Sequence, residues 1–305
     1  MDVANRGWIY RAQVGPEAHG LEVLAYHVAR FRHSNEGAWR ESIELGRVLV
    51  NGRPTTVDAR LRAGDELEFH RPPWDEPDAP AEFAVELEDE HVLVVSKPAG
   101  LQVLPAGPFL ARTLLELVRA SAPSRAEAAP AHRLGRGTSG LIVFGKSALA
   151  RSSLARQFRE FAPRKTYLAW VEGRELPTSF AARQPIARVA HGPLEIHVAA
   201  SRGKPSLTRV RVLARSGARS LVAAQPITGR PDQIRIHLAA AGAPIVGDPL
   251  FGPGGTPKSD APPGAGGYLL HSSALAFRHP VTDAWVKRHS LPSWVTRDAA
   301  GKLAR

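Results

Sequence analysis

The residues of this chain that can do chemistry fall in four ordered segments: Glu88 to Pro105 (EDEHVLVVSKPAGLQVLP), His132 to Ser147 (HRLGRGTSGLIVFGKS), Arg164 to Gly173 (RKTYLAWVEG) and Ile227 to Gly252 (ITGRPDQIRIHLAAAGAPIVGDPLFG). Cysteine is absent and methionine occurs once. Thiolate nucleophiles, disulfides, zinc ribbons and iron–sulfur clusters are therefore excluded, and any reaction must use carboxylate, phenol, imidazole, amine or guanidinium groups. Asp232 stands three residues before Arg235, and a guanidinium can fork onto a carboxylate and hold it ionised. On an extended strand the two side chains would project to opposite faces, so that pairing needs a bend. Each candidate has a plain structural reading when taken singly: Tyr167 as a strand aromatic, Arg235 as a structural ion pair, His132 as a partly buried imidazole. No Gly-x-Ser-x-Gly elbow, His-Glu-x-x-His pair or Walker loop is present, so hydrolase, metalloprotease and NTPase chemistry lack their groups. Thr138-Ser139-Gly140 reads as a tight turn ahead of a strand rather than as a nucleophile.

In their order and intervals the four segments, with the closing LLHSSALAFRHP, resemble the motifs of RluA-type RNA pseudouridine synthases over about Phe83 to Pro280. The resemblance implies an enzyme that breaks the N-glycosidic bond of a uridine in RNA, turns the base and rejoins it through C5, without cofactor or metal. It also implies roles. Arg133 falls where an arginine assists base flipping, Tyr167 where a tyrosine packs against the uracil, and Arg235 where an arginine pairs with the catalytic aspartate. Such a base must leave its helix before it can react, and cationic or aromatic groups can fill the gap. Arg136, His132, Lys165 and Arg230 join Arg133 as the RNA-binding set of these segments.

Two positions depart from the pattern. The family reads His-Arg-Leu-Asp-Arg where this chain has His132-Arg133-Leu134-Gly135-Arg136, and a glycine can act neither as nucleophile nor as base. The late motif carries Asp232 where the family usually has His or a similar residue. We expect Asp232 to supply the missing carboxylate, held by Arg230 or Arg235. The alternatives are a catalytically silent RNA binder or folding factor on the same scaffold, or a different reaction or an altered cleft with no RNA role.

Charge agrees with an RNA partner. Lys and Arg number 40 against 29 Asp and Glu, a formal net charge of +11, and fixed positive charge gains affinity by displacing counterions from phosphates. A GC-rich genome that encodes Arg freely on a solvated surface would give the same count.

The elements that must position these groups can be read in turn. Leu21, Leu24, Ala25 and Val28 recur at helical spacing, a second helix runs from Ala38 to Leu45 and stops at Gly46, Asn51-Gly52 marks a hairpin, and a strand spans Glu66 to Phe69. This unit resembles an S4-like RNA-binding domain, with Arg30, Arg32, Arg40, Arg47 and Arg53 as its RNA face. A proline-rich linker follows. Beyond it, strands are expected at Phe83 to Leu87, His91 to Val95, Leu141 to Phe144 and Thr166 to Glu172, with further strands up to Ile236; helices are expected at Thr113 to Ala120 and Ser147 to Phe161. Ala122 to Ala131 reads as a soft loop and Phe251 to Gly267 as a mobile surface loop. The expected fold class is α+β, with a mixed, largely antiparallel sheet. The domains run 1–71 (S4-like), 72–82 (linker), 83–295 (catalytic) and 296–305 (tail). No run approaches the roughly 20 apolar residues of a membrane span, and Asp2, Asn5 and Arg6 interrupt any signal run. The expected state is a cytoplasmic monomer.

Overall fold

A computed structural model describes residues 5–31, 34–173, 176–191, 194–258, 266–297 and 303–304. The chain divides into two compact units, Met1–Glu76 with Ala190–Glu195, and Pro77–Val189 with Ile196–Arg305.

The first unit holds β1 (Trp8–Gln13), α1 (Val23–Arg30), α2 (Glu36–Glu44), β2 (Val48–Val50), β3 (Arg53–Pro54) and β4 (Glu66–Arg71). Its sheet runs β1-β4-β2-β3. Asn51 and Gly52 both have positive φ, 51° and 76°, which a two-residue type I′ hairpin requires. The Asn51 side chain fixes the turn: its Nδ2 donates to Asp65 and its Oδ1 accepts from Glu66 N. Asn35 caps α2 by accepting from Ala38 N, so this helix starts two residues before the expected Ala38. Val23, Leu24, Trp39, Ile43, Val48 and Leu67 pack between helices and sheet. Sequence periodicity missed β1 because all six of its side chains are exposed, leaving no alternation to read. The proline-rich stretch is anchored at its start: the Arg71 guanidinium lies 3.5 Å from the Trp74 ring centroid, and buried Glu76 accepts from Asn5 Nδ2 at 2.8 Å.

The second unit is α+β, as expected. It contains β5 (Ala84–Glu88), β6 (Val92–Lys97), α3 (Leu114–Ala120), β7 (Ala129–Pro130), β8 (Ser139–Gly145), α4 (Ala148–Arg159), β9 (Arg164–Glu172), β10 (Ser179–Ala182), the larger parts of β11 (Ile186–His191) and β12 (Leu194–Ala199), β13 (Thr208–Ser216), β14 (Arg219–Pro226), α5 (Gln233–Ala240), β15 (Leu270–Arg278), β16 (Trp285–His289), β17 (Thr296–Arg297) and β18 (Leu303–Ala304). The main sheet runs β10-β13-β14-β9-β15-β8-β6-β5, with β16 added to β15 and β7 to β8. The β15–β8 pair is parallel, and its neighbours in the sheet are antiparallel. Thr113 and Ser147 cap α3 and α4 through their hydroxyls. Alternation along the strands sorts two cores. Leu93, Ile142, Tyr167, Val222 and Leu270 pack with Leu114 of α3 and Ile234 and Leu238 of α5 on one face, while Val92, Val143, Leu275 and Phe277 pack with Leu154 of α4 on the other.

Three expectations need correction. The strands do not continue to Ile236: β14 ends at Pro226, and Gln233–Ala240 is a helix with seven of its eight residues buried. Gln233, Arg235 and His237 alternate with Ile234, Ile236 and Leu238 at the period of a strand, and because all six are buried the alternation marks no solvent face and does not separate helix from strand. Helix α4 ends at Arg159 rather than Phe161, because Phe161 turns left-handed with φ 57°. The Phe251 to Gly267 stretch starts inside the core, with Phe251 fully buried and tied by its backbone N–H to Asp248; residues 259–265 lie outside the described residues. Among the described residues, no helix is long and apolar enough to cross a membrane.

Candidate active site

The four sequence segments converge on one open cleft of about 490 Å³ in the second unit. Its walls are the loop between β7 and β8, the end of α4, the start of β9, and the turn from β14 into α5.

The loop from His132 to Thr138 is held from both sides. At its start, Ala131 N donates to Val143 O and Val143 N donates to His132 Nε2. At its middle, the carbonyl of Arg136 accepts from Gly100 N at 2.8 Å and from Lys97 Nζ at 3.1 Å. Lys97 is fully buried at the end of β6 and also donates to the carbonyls of Pro98 and Leu101. Burial, with the Arg136 charge nearby, pushes its pKa down to about 7. Where the loop enters β8, Gly140 has φ 102°, and a Cβ there would lie 2.4 Å from the Ser272 carbonyl oxygen. Only glycine lets β8 and β15 approach so closely.

The turn into α5 brings Asp232 and Arg235 together. Asp232 is left-handed (φ 52°) and begins the helix, so a three-residue spacing puts the two side chains on one face. Arg235 Nη1 donates to Asp232 Oδ1 at 2.7 Å. Its Nε and Nη2 fork onto Asp248, each at 2.8 Å. Burial opposes the guanidinium's charge, but its bonds to Asp248 and the charges of Asp232 and Asp248 outweigh it and raise its pKa. The two carboxylates differ in what is left over. Asp248 is 1% exposed and also accepts from the N–H groups of Leu250 and Phe251, so it is spent on structure. Asp232 is 32% exposed and lines the cleft. Arg230 does not hold it: its Nη2 donates to the Pro205 carbonyl at 3.4 Å. Gln233 fixes this turn, accepting from Arg230 N and Thr228 Oγ1 while donating to Leu207 O and Thr208 Oγ1.

Gly135 is exposed in the cleft wall. A Cβ added there would lie 2.8 Å from the Tyr268 hydroxyl oxygen. Tyr268 is buried, shares a 3.1 Å hydrogen bond with Thr138 Oγ1, and lies under the Arg235 guanidinium with 4.4 Å from ring centroid to carbon. The space where a side chain at position 135 would begin is thus taken by a phenol hydroxyl. Burial raises the Tyr268 pKa despite Arg235, and burial pushes Tyr167 up to about 12. Both phenols are therefore neutral hydrogen-bond donors near neutral pH.

The remaining sequence candidates fall in two places. In the cleft, Arg133 is exposed, Arg136 lies 5.4 Å from the Phe109 ring centroid, and Lys165 lies 5.7 Å from that of Phe158. His132 stacks on Phe158 at 4.5 Å, and burial together with the Lys165 charge pushes it down to about 3. Burial lowers Lys165 as well. In the first unit, Arg30 and Arg53 are exposed, Arg47 is half-buried, and Arg40 pairs with Glu36 at 3.1 Å; Arg32 lies outside the described residues. Sequence reasoning missed Lys97, Tyr268, Asp248 and Gln233. The first had a signal, a lysine closing an apolar strand. Tyr268 was hidden behind a stretch read as a loose loop.

The RNA pseudouridylate synthase family matches residues 91–240. The chain is 42% identical over 268 residues to an uncharacterized RNA pseudouridine synthase of Synechocystis, covering 87% of this chain and 92% of that one. It is 37% identical to RNA pseudouridine synthase 5 of Oryza sativa, covering 82% and 77%. It is 33% identical to the ribosomal large subunit pseudouridine synthase C of Escherichia coli, covering 79% of each. Among solved structures, human RNA pseudouridylate synthase domain containing 1 aligns with a TM-score of 0.58 and 26% identity over 72% of this chain and 87% of that chain.

Proposed function

The chain belongs to the RluA-type RNA pseudouridylate synthase family, and on that premise we propose that it isomerises uridine to pseudouridine in structured ribosomal or transfer RNA, with Asp232 as the reacting carboxylate. The bond between N1 of uracil and C1′ of ribose breaks, the base turns, and C5 bonds to C1′. C5 gives up its proton and N1 gains one, so the composition of the RNA is unchanged and no oxidant or reductant is needed. A carboxylate takes part as nucleophile or as base.

The observation that supports this assignment is the Asp232 carboxylate, partly exposed in the cleft and 2.7 Å from a guanidinium that Asp248 locks in place. Preorganised charge of this kind acts at full strength because it need not reorganise during the reaction. Tyr167 would pack against the entering uracil and Arg133, exposed at the cleft, would assist its extrusion. The N-terminal unit would act as an S4-like RNA-binding domain through Arg40, Arg47 and Arg53, and the protein as a cytoplasmic monomer; the +11 charge supports the RNA part of this reading.

The test is pseudouridine formation on transcribed ribosomal and transfer RNA, scored by carbodiimide-stop primer extension. Asp232→Asn should lower the rate by roughly 10⁴-fold, the loss seen when the aspartate of a catalytic unit is neutralised. Activity that survives the substitution removes Asp232 from this role. No pseudouridine from the native protein on any of these RNAs leaves only an RNA binder.

A further inference from the structure

Helix α4 closes with a Schellman motif. Phe161 N donates to Phe158 O, and Ala162 N donates to Gln157 O across the cap at Glu160. The left-handed position in such a cap is ordinarily a glycine, since any Cβ is disfavoured there. This chain puts Phe161 in it, with φ 57°. The substitution gains little burial, because Phe161 remains 45% exposed. A bulky side chain held in an unfavourable backbone region, yet left in solvent, points to use rather than packing.

Its surroundings say what the use is. Phe161 lines the cleft that holds Asp232. Its Cε1 atom lies 3.5 Å from where a Cβ on Gly229 would sit, so the bare backbone of Gly229 seats one side of the ring. The Arg230 guanidinium carbon is 5.9 Å from the ring centroid, a cation placed beside an aromatic surface. The stacked pair of His132 and Phe158 lines the same cleft. When a nucleotide leaves its stack, its neighbour loses a stacking partner, and an exposed aromatic ring with an adjacent arginine replaces that partner for any base.

We propose that Phe161, with Arg230 beside it, is the stacking platform for the nucleotide that flanks the uridine entering the cleft. This rests on the RNA-modifying reading above and adds a residue that positions substrate. Stacking contributes about 5- to 150-fold in affinity per base.

The experiment uses the full chain with two probes: transcribed ribosomal RNA for KM and kcat, and a short uridine-containing RNA with 2-aminopurine next to the uridine for binding and stacking-dependent quenching. Phe161→Ala and Phe161→Leu should raise KM by 5-fold or more with kcat within about twofold, while Phe161→Tyr and Phe161→Trp stay near the native value. Phe161→Gly provides the decisive contrast, since glycine suits the cap: its Tm should equal or exceed that of the native protein while its KM rises and 2-aminopurine quenching is lost. Unchanged KM in Phe161→Gly, with the native protein active, overturns the platform and leaves the proposed function standing. A lowered Tm in Phe161→Gly, or a fall in kcat alone, also overturns it, by assigning Phe161 to packing or to the chemical step. A native protein that neither binds nor modifies either RNA overturns the proposed function itself, and the platform with it.

Discussion

Gly135 has no backbone reason to be glycine, because its φ lies outside the left-handed region. What stands against a side chain is the Tyr268 hydroxyl oxygen, 2.8 Å from the Cβ position, with Thr138 Oγ1 next at 3.5 Å. Gly135→Ala therefore overpacks one point, and such insertions cost about 1–3 kcal/mol. For a unit of this size that is a fall in Tm of roughly 2–10 °C. Tyr268→Phe removes the obstructing oxygen and nothing else of the ring. On its own it should cost about 1 kcal/mol, from the lost hydrogen bond with Thr138. In the Tyr268→Phe background Gly135→Ala should be neutral or slightly stabilising, as replacing glycine at a permitted φ usually is. The four proteins of this cycle, measured by calorimetry, should give a coupling of roughly 1–3 kcal/mol. Equal losses in both backgrounds would refute the claim that Tyr268 is what keeps position 135 bare. By the same reasoning, Gly135→Asp alone should lower rather than raise activity.

Other outcomes follow from the same contacts. Arg235→Gln leaves Asp248 buried without its cation and should cost about 3–5 kcal/mol, together with loss of pseudouridine formation; a stable, active variant would show that Asp232 needs no partner. Lys97→Met strips three carbonyls of their shared donor and should destabilise by about 1–3 kcal/mol, and because one of them is Arg136 O, kcat should fall as well. His271 is buried, with its pKa pushed down to about 4 by burial. Between pH 6.5 and 4 the unfolded chain takes up a proton that the folded one refuses, so stability falls on acidification by at most about 1.4 kcal/mol per pH unit. Urea titrations of His271→Asn across that window should show a flatter slope than the native protein. Replacing Arg40, Arg47 and Arg53 together with Gln should reduce the slope of log affinity for RNA against log salt if these residues contact phosphates; an unchanged slope would remove them from the interface.

Much of both units could be read from the sequence because the signals are local. Thr113 and Ser147 announce helix starts, Asn51-Gly52 announces a hairpin, and Leu141 to Phe144 is too short and too apolar to be other than a buried strand. What escaped reading was set by burial and by distance along the chain. Helix α5 is buried on almost every side, and the alternation of polar and apolar residues from Gln233 to Leu238 has the period of a strand. Tyr268 acts on residues more than 100 positions earlier, through contacts that no spacing encodes. Asp248 and Gln233 sat inside segments already singled out, but nothing in their types separates a carboxylate or amide spent on structure from one free to react.

The helical structure of α5 decides whether Asp232 can share the Arg235 guanidinium. On a strand, Asp232 would face away from Arg235, and a carboxylate there could not share the guanidinium. In the helix, the left-handed residue at its start and the three-residue spacing bring Oδ1 within 2.7 Å of Nη1, while the fork to Asp248 keeps Arg235 from turning away. The same Arg235 lies over Tyr268, whose hydroxyl occupies the beginning of any side chain at position 135. Positions 135, 232 and 268 are therefore joined through one guanidinium and one phenol. A carboxylate introduced at 135 would compete with Tyr268 for space, so it needs a second change to be accommodated: Gly135→Asp with Tyr268→Phe and Asp232→Asn should show more activity than Gly135→Asp with Asp232→Asn alone. Equal activity in the two combinations would mean that the phenol plays no part in where the carboxylate stands.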